Sequence, residues 1–205
     1  MVRKVKYKNL VFDIGGVLLG YRWHDMLTDD FGLTPDKADA FGAMIFPDSL
    51  WLEFDLENIP YEEVMHRYME KYPEWAETIE WFLTHSERMK VDRPAVWAEV
   101  HRLKEEGFRI YLLSNYSSVL LTNHTRGASF LKDIDGKVVS YEIHAIKPDP
   151  AIYEELFRRY ELEPEECLFF DDREVNVEGA RAAGMGAVHV TGEKMLVEYL
   201  KNCHF

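Results

Sequence analysis

The chain has 205 residues, 47% of them hydrophobic, and a formal net charge of −13. That length and apolar content support one domain, or a core with an inserted subdomain, and no low-complexity segment argues for disorder. The acidic balance argues against a nucleic-acid partner, and no apolar run nears the roughly 20 residues that span a bilayer, so the expectation is a cytoplasmic protein with no membrane partner.

The N-terminal cluster Arg3, Lys4, Lys6 and Lys8 reads as a solvated lead-in, because charged and polar residues interrupt any secretory apolar core. Residues 9–14 then form an apolar run bounded by Gly15-Gly16, the pattern of a buried strand. From about residue 22 to about residue 90 the pattern is helical, broken at Gly32-Leu33-Thr34-Pro35, Phe46-Pro47-Asp48, Asn58-Ile59-Pro60 and Tyr72-Pro73, with no strand evident. Trp51, Phe54, Trp75, Trp81 and Phe82 suffice to pack a small helical bundle, and the tryptophans read as its core rather than as a stacking platform.

Alternation returns after residue 91. Pro94 to Glu106 reads as a helix, with Val96, Val100 and Leu103 on one face and Gly107 as its stop. Arg109 to Leu113 is a strand, 116–126 a helix, and Lys137 to Ser140 a short strand after the Asp135-Gly136 turn. Pro150 to Tyr160 is a helix, Cys167 to Phe170 a strand, Val175 to Ala183 a helix closed by Gly184, and Ala187 to Val190 a strand. Alternating strands and helices predict an α/β, Rossmann-like parallel sheet core. The helical block reads as an all-helical cap inserted at residues 20–90, leaving 1–19 and 91–205 as the core. Cys167 and Cys203 read as free thiols in a reducing compartment.

Three of the predicted strands end in small polar or acidic residues: Asp13, Ser114-Asn115, and Asp171-Asp172. Open parallel sheets bind ligands outside the carboxyl ends of their strands, so these ends predict one shared, carboxylate-rich site. Adjacent carboxylates repel one another unless a cation is close, which itself points to a metal. Helix capping accounts comfortably for one of Asp171 and Asp172, but not for both.

Four motifs stand in order along nearly the whole chain: Val11-Phe12-Asp13-Ile14-Gly15-Gly16-Val17-Leu18, Leu112-Leu113-Ser114-Asn115, Ile146-Lys147-Pro148-Asp149-Pro150-Ala151-Ile152-Tyr153, and Phe169-Phe170-Asp171-Asp172-Arg173-Glu174-Val175-Asn176. Together they make the chain resemble the haloacid dehalogenase-like (HAD) hydrolase superfamily, and within it bacterial helical-cap members that act on sugar phosphates such as glucose 1-phosphate. The resemblance implies Asp13 as the nucleophile that forms an aspartyl-phosphate. It implies Mg²⁺ on Asp13, the backbone carbonyl of Gly15, and Asp172 with Asp171 beside it. It implies that Ser114 and the Asn115 amide bind phosphoryl oxygens, that Lys147 neutralises charge, and that Asn176 orients that end of the site. The partner implied is a small phosphorylated metabolite, hydrolysed as a phosphate monoester.

One position departs from the pattern. Most phosphatases of this family carry a second aspartate two residues after the nucleophile, where it protonates the leaving group and then activates water; here that residue is Gly15. Such acid–base help is worth about 10²–10⁴-fold. Its loss predicts slow turnover, another acid such as His24 brought in from the cap, or an easy leaving group such as an anomeric phosphate. His24 therefore stands as a candidate substrate contact, although an exposed hinge histidine is the simpler reading, and His144 stands no better as a candidate for the rim of the site. Two other functions stay open: a dehalogenase using Asp13 on carbon without metal, which would not need Asp172, and a weakly catalytic protein that binds a phosphometabolite.

Overall fold

The computed structural model describes residues 7–202, so Arg3, Lys4, Lys6 and Cys203 lie outside the described residues. The chain runs β1 (Asn9–Phe12), β2 (Leu19–Tyr21), α1 (Trp23–Asp25), which continues as a wide turn over Met26–Phe31, then α2 (Pro35–Ile45), α3 (Ser49–Leu56), α4 (Tyr61–Lys71) and α5 (Ala76–Thr84). There follow β3 (Lys90–Asp92), α6 (Pro94–Glu105), β4 (Arg109–Ser114), α7 (Ser118–Thr125), β5 (Gly136–Val139), α8 (Ser140–Ile143) and α9 (Pro150–Tyr160). The chain continues with β6 (Cys167–Asp171), α10 (Glu174–Ala182), β7 (Gly186–His189) and α11 (Glu193–Asn202).

The main sheet is parallel, with strand order β5-β4-β1-β6-β7. β1 lies at its centre, and its four residues are buried. Successive side chains point to opposite faces. Accordingly Leu10, Phe12, Ile110, Leu112, Leu168 and Phe170 enter one apolar cluster, while Val11, Tyr111, Leu113, Cys167 and Phe169 enter another. The first cluster takes Val96, Val100 and Leu103 of α6 and Leu196 and Leu200 of α11; the second takes Ile152, Tyr153 and Leu156 of α9 and Ala180 of α10. A sheet covered on both faces is what the continuous apolar strand sequences require.

The register fixes the site. Phe12 pairs with Leu112 on β4 and with Phe170 on β6, so the residues that follow it emerge between the ends of both neighbours.

The helical segment α2–α5 has its own aromatic packing. Phe41 meets Phe82 edge-on at 5.2 Å and Trp75 at 5.7 Å, and the Tyr68 hydroxyl donates to the Ile45 carbonyl at 2.9 Å. Two features differ from the sequence reading. β2 and β3 form an antiparallel ribbon, Leu19 opposite Asp92 and Tyr21 opposite Lys90, at the two ends of the stretch in which no strand was evident. At three residues each, these strands are too short to show a period of two. β1 also ends at Phe12, short of residue 14, although the Asp13 amide still donates to the Phe170 carbonyl of β6. Among the described residues no helix is long and apolar enough to cross a membrane.

Candidate active site

Asp13 leaves β1 with its amide donating to the Phe170 carbonyl at 2.9 Å, which ties it to the end of β6. Its Oδ1 accepts from the Ile14 amide at 2.7 Å and from the Ser114 hydroxyl at the end of β4. Lys147 Nζ lies 3.0 Å from the same Oδ1, 2.6 Å from Asp171 Oδ2 and 2.9 Å from the Leu113 carbonyl. Lys147 is only 2% exposed, so a buried ammonium is clamped between two carboxylates. Such an arrangement persists only when every charge is paired.

The Lys147 loop is itself held. The Asn115 side chain accepts from the Lys147 amide at 2.8 Å and donates to the Lys147 carbonyl at 3.1 Å. The side chain of Asn115 therefore positions Lys147 rather than facing the cavity with both of its polar atoms. Asn176, at the first turn of α10, donates to both carboxylate oxygens of Asp171 at 3.1 and 3.2 Å, and the Arg173 amide adds a third bond to Oδ1 at 2.8 Å.

Burial raises the Asp13 carboxyl to about 7; Lys147 pulls it down, while Asp171 and Asp172 add to the rise. Burial alone would push Lys147 down, but Asp13 and Asp171 more than offset that, and the ammonium holds its proton above the usual lysine range. Asp172 is raised by burial and by the neighbouring Asp171. Three carboxylates share one lysine here, so the site is short of positive charge.

Carboxylate oxygens of Asp13, Asp171 and Asp172 lie within 4.8 Å of one another, a donor set that suits a hard divalent cation. Asp171 is fully buried and its oxygens already accept from Lys147, Arg173 and Asn176. Asp13 and Asp172 both line the adjoining cavity and are the pair placed to hold a cation there. Gly16, at φ +69°, makes room for this: a Cβ on it would lie 2.2 Å from Asp172 Oδ2.

The cavity measures about 870 Å³. Asp13, Gly15, Ser114, Lys147 and Asp172 form its floor; Trp23 lines it from α1, and Phe46, Trp51, Leu52 and Asp55 line it from the helical segment. Trp51 therefore does two things: it packs edge-on against Phe46 and Phe54 in the helical segment and also lines the cavity. Trp75 and Trp81 pack on Phe41 and Phe31 and are not among the lining residues.

The structure brings Asp13, Gly15, Ser114, Asn115, Lys147, Asp172 and Asn176 to one cavity, with Asp171 directly beneath. His24 is not brought there; its Nε2 sits 3.3 Å from Asp39 Oδ1. His144 is also absent from the lining and bonds the Leu56 carbonyl through Nδ1 at 2.7 Å.

Sequence reasoning missed Tyr21, Asp55, Tyr116, His124 and Arg173, all of which line the cavity. For Asp55 a signal existed, since it stands four residues after Trp51 and so shares its helix face. Burial raises the Asp55 carboxyl to about 7, with Lys147 and Arg173 pulling the other way.

A parallel α/β sheet that gathers a carboxylate, a buried lysine and an acidic pair at its strand ends, beneath a helical segment, defines a hydrolase centre of one broad class. The chain belongs to the haloacid dehalogenase-like hydrolase family, whose pattern matches residues 7–184. It is 25% identical over 212 residues to the putative phosphatase YhcW of Bacillus subtilis (strain 168), covering 94% of this chain and 89% of that protein. It is 29% identical over 97 residues to (S)-2-haloacid dehalogenase 1 of Pseudomonas sp. (strain CBS-3), covering 47% of this chain and 43% of that one. Its fold matches that of a HAD-family enzyme from Bacteroides thetaiotaomicron, solved with magnesium and inorganic phosphate, with a TM-score of 0.69, 21% identity, and coverage of 89% of this chain and 93% of that chain.

Proposed function

We propose that this hydrolase is a Mg²⁺-dependent phosphatase acting on a small phosphate monoester, with a sugar phosphate as the substrate class. The observation that carries the reading is the convergence of Asp13, Asp172 and Lys147 on one cavity floor, with Asp171 behind them. A phosphoryl group brings negative charge that such a floor can accept only if cations offset its own. A dehalogenase working without metal would not need Asp172. The protein named putative phosphatase YhcW and the magnesium–phosphate complex of the Bacteroides enzyme point the same way.

In this reading Asp13 is the nucleophile. Its Oδ1 is engaged by Ile14, Ser114 and Lys147, which orient the carboxylate and leave its other oxygen for attack. That oxygen bonds phosphorus as the bond to the leaving oxygen breaks, and water then hydrolyses the aspartyl-phosphate. Lys147 balances the charge that gathers on Asp13 and the phosphoryl oxygens, and Ser114 adds a hydroxyl beside them. Asp171 and Asn115 position Lys147, and Asn176 and the Arg173 amide position Asp171. Bound through Asp13 and Asp172, Mg²⁺ would supply charge neutralisation and orient the phosphoryl group.

The helical segment between β2 and β3 serves as the cap. Its cavity wall pairs the aromatic faces of Trp23 and Trp51 with the polar groups of Ser49 and Asp55, a combination suited to the apolar faces and hydroxyls of a sugar. The test is phosphate release from a panel of sugar phosphates and p-nitrophenyl phosphate, with Mg²⁺ or chelator and with Asp13→Asn as control. Release that needs both Mg²⁺ and Asp13, and is fastest on a sugar phosphate, supports the reading. Equal release by Asp13→Asn overturns it.

A further inference from the structure

The position two residues after Asp13 is glycine, and the space beside it is taken. A Cβ on Gly15 would lie 2.3 Å from the Tyr21 hydroxyl oxygen, and its three nearest neighbours would all be Tyr21 atoms. Tyr21 stands on β2, outside the main sheet, and reaches back over the turn that follows Asp13. A side chain at residue 15 and the Tyr21 hydroxyl therefore exclude one another, and in this chain the hydroxyl occupies the place.

That hydroxyl is the outer end of a hydrogen-bonded line. Tyr21 bonds the Tyr116 hydroxyl, Tyr116 bonds His124 Nδ1 at 3.0 Å, and His124 Nε2 bonds the Ser86 carbonyl at 2.9 Å. The direction of each bond follows from the last. A carbonyl can only accept, so Nε2 carries the hydrogen. Burial pushes the His124 imidazole down to about 4, so the ring is neutral near pH 7 and Nδ1 offers a lone pair. Tyr116 then donates its only proton to Nδ1, and its oxygen is left to accept from Tyr21. Tyr21 has thus committed its proton inward, and what it offers the cavity is an oxygen lone pair. The site presents an acceptor beside the nucleophile, suited to a ligand that donates.

We propose that the Tyr21 oxygen holds and activates the water that hydrolyses the aspartyl-phosphate, with Tyr116 and His124 as its positioning residues. The inference rests on the phosphatase reading above. In the step, the water oxygen bonds phosphorus as the phosphorus–Asp13 bond breaks, and that electron pair returns to the Asp13 carboxylate. One water proton stays on the phosphate. The other passes to Tyr21 as the Tyr21 proton moves to Tyr116 and the Tyr116 proton to Nδ1. The line then runs backward and releases that proton to solvent through the open cavity. No residue of this line serves the leaving group, so the enzyme favours substrates whose leaving oxygen departs without a proton.

The experiment follows the two half-reactions separately. Wild type, Tyr21→Phe and Tyr116→Phe are phosphorylated with labelled acetyl phosphate and Mg²⁺, then chased with unlabelled acetyl phosphate, and formation and decay of the phosphoenzyme are timed. Tyr21→Phe is expected to slow decay about 10²-fold while formation stays within about threefold, the lower range for loss of a general base. Tyr116→Phe, which keeps the Tyr21 hydroxyl but removes its acceptor, should slow decay by a smaller factor with the same selectivity. It also carries the test if Tyr21→Phe does not fold. Unchanged decay in both variants, or equal slowing of formation and decay, overturns the inference while leaving the phosphatase reading intact. A folded wild type that forms no Asp13-dependent phosphoenzyme overturns both.

Discussion

Replacing Lys147 with Met should cost the metal-free protein about 3–5 kcal/mol at pH 8, the range for removing one partner of a buried charge cluster. Lys147 lies 3.0 Å from Asp13 and 2.6 Å from Asp171, and is 2% exposed. At about 4 Å and an effective dielectric of about 20, one such pair is worth about 4 kcal/mol, and two pairs less the desolvation of the ammonium give the same few kcal/mol. Methionine fills much of the space, so the loss reports charge rather than a void. The pH dependence makes the test specific. Burial already holds Asp13 at about 7, far above an unfolded aspartate near 3.9. Between those values the native state keeps a proton that the unfolded chain has released, so stability falls as pH rises. Without Lys147 the folded-state value of Asp13 rises further, and the deficit of the variant must be larger at pH 8 than at pH 5.5. Urea unfolding of wild type and Lys147→Met in chelator at both pH values measures this. A deficit under about 1 kcal/mol at pH 8, or an equal deficit at both, would mean that Lys147 does not offset buried charge on Asp13 and Asp171.

The same logic predicts that Asp13→Asn abolishes turnover yet raises the melting temperature at pH 8 in chelator, because it removes a carboxylate that burial disfavours; calorimetry beside the activity assay checks both. In a pH–rate profile, kcat/KM should fall as pH drops through the Asp13 titration near 7, and saturating Mg²⁺ should move that limb to lower pH because a nearby cation favours the charged form. Gly16→Ala forces an L side chain into φ +69° with its Cβ 2.2 Å from Asp172, so it should destabilise the fold by about 1–2 kcal/mol and raise the Mg²⁺ concentration for half activity at least tenfold in a metal titration. Trp51→Ala should raise KM for a sugar phosphate more than it lowers kcat, as expected when a cavity wall binds ground and transition states alike.

How much of this was legible in the sequence follows from where each residue sits. Asp13, Ser114 and Asp171 stand at ends of apolar strands, and a parallel register brings such ends together whatever the loops do. Lys147 and Asn176 were found only through their motifs, since neither has a local pattern that would single it out. Their actual partners, the Asn115 clamp on the Lys147 backbone and the Asn176 bonds to Asp171, are side-chain geometry that no periodicity carries. Tyr21, Tyr116 and His124 come from β2, the loop after β4, and α7, and they meet only because the ribbon of β2 and β3 folds Tyr21 over Gly15. Three-residue strands gave no warning of that ribbon. His24, three residues beyond Tyr21, is a titratable side chain near the first motif but pairs with Asp39 away from the cavity.

The proposed chemistry requires Asp13 to work as a phosphoryl-accepting nucleophile on a floor completed by Mg²⁺. The most direct test is to incubate the protein with labelled acetyl phosphate and Mg²⁺, quench in acid, and locate the label by peptide mapping. Label on the peptide containing Asp13, absent in chelator and absent in Asp13→Asn, is the predicted result. A folded protein that takes up no label, yet releases halide from a 2-haloacid in the presence of chelator, would contradict the account.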